Sequence, residues 1–159
     1  GLNLRAFIWT ETSMKDLILA KDHLLEHQLN FVLVRDNQVL KTSKDRGIRP
    51  ILNAYRDNSL NFKDSCLADR VIGKAAAMFL ISGGIKSLYT DLISDVAYEL
   101  LRARGIQVEY GEKVPNILNQ EGNDLCPMEK LSSDARDLED LIEKIEIFLG
   151  INTRKECIS

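Results

Sequence analysis

Cys126 stands directly before Pro127, a residue suited to the first turn of a helix. A thiol at a helix N-terminus meets free N–H groups and the positive end of the dipole, which favour a thiolate. That makes Cys126 a candidate nucleophile, redox contact or ligand-binding residue. The alternative is a small side chain buried where the chain turns. Glu129, three residues on, suits a helix cap better than a catalytic base, and Asp124 could share the same polar mouth. Asp69 comes just before a long apolar stretch, where it either caps a helix or hydrogen-bonds a ligand amine or hydroxyl. Lys74 is a cation among apolar residues, with Arg70 one turn earlier. It either snorkels to water or contacts an anion. Ser94 and Asp95 open the next helical pattern as caps or as polar ligand contacts. His23-Leu24-Leu25-Glu26-His27 spells an H-x-x-E-H zinc motif, but the apolar stripe around it leaves both histidines facing water.

These groups need a scaffold. The chain has 159 residues, 45% hydrophobic and 28% charged, which suits one globular domain with its own core. A net charge of -3 gives no general attraction for nucleic acid, so nucleic acid is not an expected partner; Lys41, Lys44, Arg46 and Arg49 form only a local basic patch. No apolar run reaches membrane-spanning length, and no signal segment opens the chain. Three widely spaced cysteines (Cys66, Cys126, Cys157) do not suggest a disulfide framework. A cytoplasmic setting is expected.

Residues 1–12 read as a lead-in, in which Phe7, Ile8 and Trp9 pack on the domain or form a short strand. Ser13 then resembles a helix cap with Asp16 as its capping-box partner. Met14, Leu17, Ile18, Leu24, Leu25 and Leu29 share one side at helical spacing. Phe31–Arg35 and Gln38–Thr42 read as strands joined by a tight Asp36-Asn37 turn. A short helix over Ile48–Tyr55 has Pro50 in its first turn. Asn61–Leu67 is strand or loop. Arg70–Ile81 is apolar almost all round, the pattern of a buried helix, ended by Gly83-Gly84. Lys86–Ile93, Val96–Arg104 and Ile106–Tyr110 then read as strand, helix, strand, a parallel crossover. A polar connection over 114–124 leads to a short helix at Pro127. An acidic amphipathic helix spans Asp134–Leu149, with Leu138, Leu141, Ile142, Ile145, Phe148 and Leu149 near heptad spacing. Residues 151–159 read as a flexible tail. The predicted organisation is a domain over 13–131, a C-terminal helix over 132–150 and the tail.

The run Ala68-Asp69-Arg70-Val71-Ile72-Gly73-Lys74-Ala75-Ala76-Ala77 resembles the hallmark of an uncharacterised domain-of-unknown-function family with a cytidine-deaminase-like fold. Asp45-Arg46-Gly47-Ile48-Arg49-Pro50 and Asn123-Asp124-Leu125-Cys126-Pro127-Met128-Glu129-Lys130 support the match. The resemblance implies a three-layer α/β/α sandwich with a mixed sheet. It implies no activity, and a nucleotide-like ligand follows only by analogy with other deaminase-like folds.

A zinc deaminase places a His or Cys two residues before a Glu at one helix start, and C-x-x-C at the next. Cys66-Leu67-Ala68-Asp69 has the wrong spacing and the wrong acid, and Ser94-Asp95-Val96-Ala97-Tyr98 has no sulfur. No metal ligand set and no cofactor are therefore expected. Three readings remain. The first is a zinc-free, deaminase-like domain that binds a nucleotide-like small molecule through Asp69, Lys74, Ser94, Asp95, Asp124, Cys126 and Glu129. The second is a Cys126-dependent enzyme. The third is an interaction module that buries the 134–149 stripe in a partner or a twin chain.

Overall fold

The computed structural model describes residues 2–151, with side chains from residue 11 onward. Its elements are helix α1 (Leu2–Glu26), strands β1 (Phe31–Arg35) and β2 (Gln38–Ser43), helix α2 (Arg49–Asp57), strand β3 (Cys66–Ile72), helix α3 (Lys74–Gly83), strand β4 (Ser87–Ser94), helix α4 (Asp95–Ala103), strand β5 (Gln107–Val114), and helices α5 (Pro127–Asp134) and α6 (Leu138–Leu149). The sheet order is β2-β1-β3-β4-β5. The first three of these strands pair antiparallel, and β3, β4 and β5 run parallel. The chain is thus an α/β fold on a mixed five-stranded sheet, with helices on both faces.

Two apolar layers flank the sheet. On one face Leu17, Ala20 and Leu24 of α1 pack on Val32, Val34, Cys66, Ala68 and Tyr89. On the other, α2, α3, α4 and α6 cover Leu33, Leu67, Ile72, Leu88 and Ile93. Leu141 and Ile145 of α6 are fully buried there, with Leu138, Ile142 and Leu149 packed alongside, so most of the C-terminal stripe packs on its own domain. Phe148 remains 53% exposed. Among the described residues no helix is long and apolar enough to cross a membrane.

The hairpin forms as its sequence predicts. Asp36 and Asn37 adopt φ of 51° and 62°, the left-handed pair that a two-residue turn requires and that Asp and Asn tolerate. Its stabiliser is a surprise. Asp36 N–H donates to Asp16 Oδ2 at 3.1 Å and Asn37 N–H to Asp16 Oδ1 at 2.8 Å. Asp16 is therefore no capping-box partner. It lies inside α1, as Ser13 does, and both are buried. The lead-in expected to precede the helix is helical backbone from Leu2; the packing expected of Phe7, Ile8 and Trp9 lies outside the described side chains, and the tail from residue 152 lies outside the described residues. The apolar side also splits: Leu17, Leu24 and Leu29 are buried, whereas Met14, Ile18 and Leu25 face out.

The largest departure concerns Arg70–Ile81. Asp69, Arg70, Val71 and Ile72 are strand, and α3 starts only at Lys74 behind an extended Gly73. β3 lies between β1 and β4 and must be long enough to pair with both. Tertiary pairing thus overrides a run whose all-round apolarity also suits a buried parallel strand. The uncertain stretch before it resolves into a 3-10 turn (Ser59–Asn61) and, from Cys66, the strand itself. α3 does end as expected, with Gly84 left-handed at φ 79°. The acidic helix also starts later than its composition suggests. α5 ends at Asp134, Ala135 is extended, and Asp137 caps α6 by accepting from Asp140 N–H at 2.8 Å.

Candidate functional site

Parallel strands β3 and β4 point their carboxyl ends at the N-termini of α3 and α4, the end of an α/β sheet where ligands bind. The start of β1 lies at the same end, because Phe31 pairs with Asp69. Two adjoining cavities open there and share Gly47 and Val71.

The larger, ≈ 520 Å³, is polar and is lined by Gln28, Asn30, Arg46, Asp69 and Arg70. Asp69 is 5% exposed, and its Oδ1 accepts from Arg70 N–H at 2.7 Å. Burial drives its carboxyl up to about 8, against the opposing pull of the Arg70 and Val71 N–H bonds. Near neutral pH the carboxyl therefore keeps its proton and offers an O–H donor in a pocket of amide and guanidinium groups. Arg70 is fixed in place: its Nε donates to Leu29 O at 2.9 Å, its Nη1 to Asp91 Oδ2 at 3.0 Å and its Nη2 to Leu24 O at 3.4 Å. These contacts tie the end of α1 to the sheet. Arg46 is exposed on the loop between β2 and α2 and makes no ion pair among the described residues.

The smaller cavity, ≈ 70 Å³, is an apolar cleft lined by Ile48, Ile51, Ala76, Ile117, Met128 and the Cys126 thiol, with Glu129 at its wall. Glu129 does not cap its own helix as expected. Its Oε1 accepts from Lys74 N–H at 3.2 Å and its Oε2 from Ile117 N–H at 3.1 Å. The carboxylate thus caps α3, where the dipole favours it, and holds the 115–126 loop over the cleft. Cys126 N–H donates to Ile117 O at 2.9 Å, closing the same loop. Cys126 is the N-cap of α5, as expected, without a side-chain cap bond.

The expected site residues divide accordingly. Asp69, Cys126 and Glu129 line the adjoining cavities, and Lys74 meets Glu129 through its backbone rather than as an ammonium contact. Arg70 does not add charge beside Lys74, because its guanidinium is held by Asp91 and α1. Asp69 caps no helix, since it lies within β3. Ser94 caps α4 by accepting from Ala97 N–H at 3.2 Å, and Asp95 follows in the first turn; neither lines the two cavities. Asp124 is a surface residue held below the usual carboxylate range by Lys130 at 2.5 Å and by Leu125 N–H. Gln28, Asn30, Arg46 and Gly47 were not expected. A signal for the last two existed in the Asp45–Pro50 segment of the resemblance.

The helix starts near the cavities offer no zinc pattern, and among the described residues no three His, Cys, Asp or Glu side chains converge as a metal site needs. The ring of His23 in α1 and that of His27, just past its end, lie with centroids 4.4 Å apart and planes tilted at 51°, on the opposite side of the sheet from α5.

The model of the family described as TM1506, domain of unknown function (DUF1893), matches residues 19–149. The crystal structure of a DUF1893 family protein (TM1506) from Thermotoga maritima is similar at 28% identity and a TM-score of 0.73, over 82% of this chain and 87% of that one. No curated protein matches.

Proposed function

The chain belongs to the DUF1893 family, and we propose that it is a zinc-free, deaminase-like domain that binds a nucleotide-like small molecule across the two cavities at the carboxyl end of β3. The observation that carries this reading is the buried Asp69 carboxyl in the wall of a polar pocket that opens, past Gly47 and Val71, onto an apolar cleft. A ligand with a flat ring and a polar or anionic arm fits that division. Asp69 and Asn30 would hydrogen-bond its polar edge, Arg46 would meet an anionic group, and the cleft would take apolar surface. The strand order and the helices on both faces support the deaminase-like reading of the scaffold. The Cys126 alternative has less support, because Glu129 is already engaged by two backbone N–H groups and no histidine shares its side of the sheet.

Titration calorimetry against nucleosides, nucleotides and other flat heteroaromatic metabolites tests the proposal. A member of the set should bind the wild type and bind Asp69→Ala at least about tenfold more weakly, the loss expected for a buried hydrogen bond of about 1.4 kcal/mol. No binder in the set, or a binder indifferent to Asp69→Ala, counts against the site.

A further inference from the structure

Helix α1 carries a second apolar stripe that its own domain leaves uncovered. Met14, Ile18 and Leu25 are 50%, 56% and 46% exposed, whereas the face toward the sheet is Ser13, Asp16, Leu17, Ala20 and Leu24. Positions 11, 14, 18, 21 and 25 alternate by three and four, the spacing of a heptad seam, and the sequence continues that spacing back to Phe7. The two polar members of the seam are Glu11 and Lys21, which have opposite charge. Lys21 is held at the seam's edge: its Nζ is 3.4 Å from Glu109 and 4.7 Å above the Tyr89 ring. Among the described residues α1 is the sole helix on this face of the sheet, and Gln107, Glu109 and Gly111 of the neighbouring β5 are exposed.

We infer that α1 pairs antiparallel with the α1 of a second copy of this chain. The charges select both the occupant and the direction. In an antiparallel seam centred between positions 14 and 18, Met14 meets Ile18 of the partner subunit, and Glu11 meets Lys21 of the partner subunit. Two-fold symmetry makes each of these contacts twice. In a parallel seam Glu11 would face its own copy, and so would Lys21, which is repulsive. The helix is long enough for such a seam: its 25 residues span about 37 Å at about 1.5 Å each.

Sedimentation equilibrium on the full chain tests this with paired charge reversals. Glu11 is exposed and lies 4.0 Å from Lys15, whereas Lys21 is half-buried against Tyr89 and Glu109, so circular dichroism will check that each variant folds. The wild type should self-associate. E11K alone and K21E alone should each weaken association at least about tenfold, because each places two like-charge pairs in the seam. An equimolar mixture of the two variants should recover dimers, since the mixed pair restores both attractions. Ile18→Glu should give monomers. A wild type that stays monomeric at the highest concentration reached overturns the inference. So does a dimer that E11K leaves intact, or a mixture that associates no better than its components.

Discussion

A Cβ placed on Gly73 would stand 2.7 Å from Glu129 Oε1. The absence of a side chain at this residue lets the carboxylate reach the first N–H of α3. The backbone at Gly73 is extended rather than left-handed, so the constraint is one of space: a Cβ would have to displace the end of the Glu129 side chain. Gly73→Ala should push Glu129 off Lys74 and Ile117 and cost about 1–3 kcal/mol, the range for displaced charge-assisted hydrogen bonds. Glu129→Ala should cost a similar amount, and the double variant clearly less than the sum, since there is then nothing left to displace. Urea unfolding of the three variants measures the coupling; strict additivity would show that the two residues act independently.

Asp16 makes the corresponding link on the other face, where it accepts from both turn N–H groups of the β1–β2 hairpin. Asp16→Ala leaves two donors without their partner and should cost about 2–3 kcal/mol. The loss should concentrate in the hairpin, with faster amide exchange at Asp36 and Asn37 than at β3. Asn37→Gly should be neutral or stabilising by up to about 1 kcal/mol, because the residue already has positive φ. Equal loss of protection across the sheet would place the role of Asp16 elsewhere.

Much of this fold was legible because local signals and tertiary needs agreed. The hairpin, the Pro50 and Pro127 helix starts, the Gly83-Gly84 stop and the Ser94 cap each have a short-range cause. Asp69 through Ile72 was not, because a buried strand and a buried helix share an all-apolar pattern, and only pairing with β1 and β4 decides between them. The site inherited that error. Asp69 and Cys126 both line the cavities, but the helix-cap role that the sequence suggests for Asp69 fails because the residue lies within β3. Glu129 has its partners 12 and 55 residues away and Asp16 has its partners 20 and 21 residues away, distances that spacing rules do not reach. Gln28 and Asn30 carry no local motif; they line the pocket because β1 begins beside the end of β3.

Asp69 should make both stability and binding depend on pH. Its carboxyl rises from an ordinary 3.8 to about 8 in the fold, so the folded state holds a proton that the unfolded chain releases. Between those values the folded state binds more protons, and stability falls as pH rises, levelling off above about pH 8. Below about 3.8 the contribution vanishes because both states are protonated. Arg70 and Asp91 are the charged neighbours that tune it. Asp69→Asn keeps a neutral donor and should flatten this part of the profile, and it should hold ligand affinity above pH 8, where the wild type loses it. Thermal melts and calorimetry from pH 5 to 9 decide the matter; parallel profiles for the two proteins would mean that Asp69 does not titrate there.

Cys126 reports on the cleft directly. Its thiol is half-buried at the cleft wall, whereas Cys66 is fully enclosed, bonded to Ser87 Oγ at 2.9 Å, and pushed up in pKa by burial. With Cys157 replaced by Ser, a small thiol reagent should label Cys126 in the folded protein and reach Cys66 only on unfolding. If the ligand spans both cavities, a concentration ten times its Kd should slow Cys126 labelling about tenfold by simple occupancy. Asp69→Ala, binding at least about tenfold more weakly, should cut that protection to about twofold or less without changing the labelling rate of the free protein, because Asp69 acts from the neighbouring pocket. Unchanged labelling under saturating ligand would confine binding to the polar pocket and remove the cleft, and Cys126 with it, from the site.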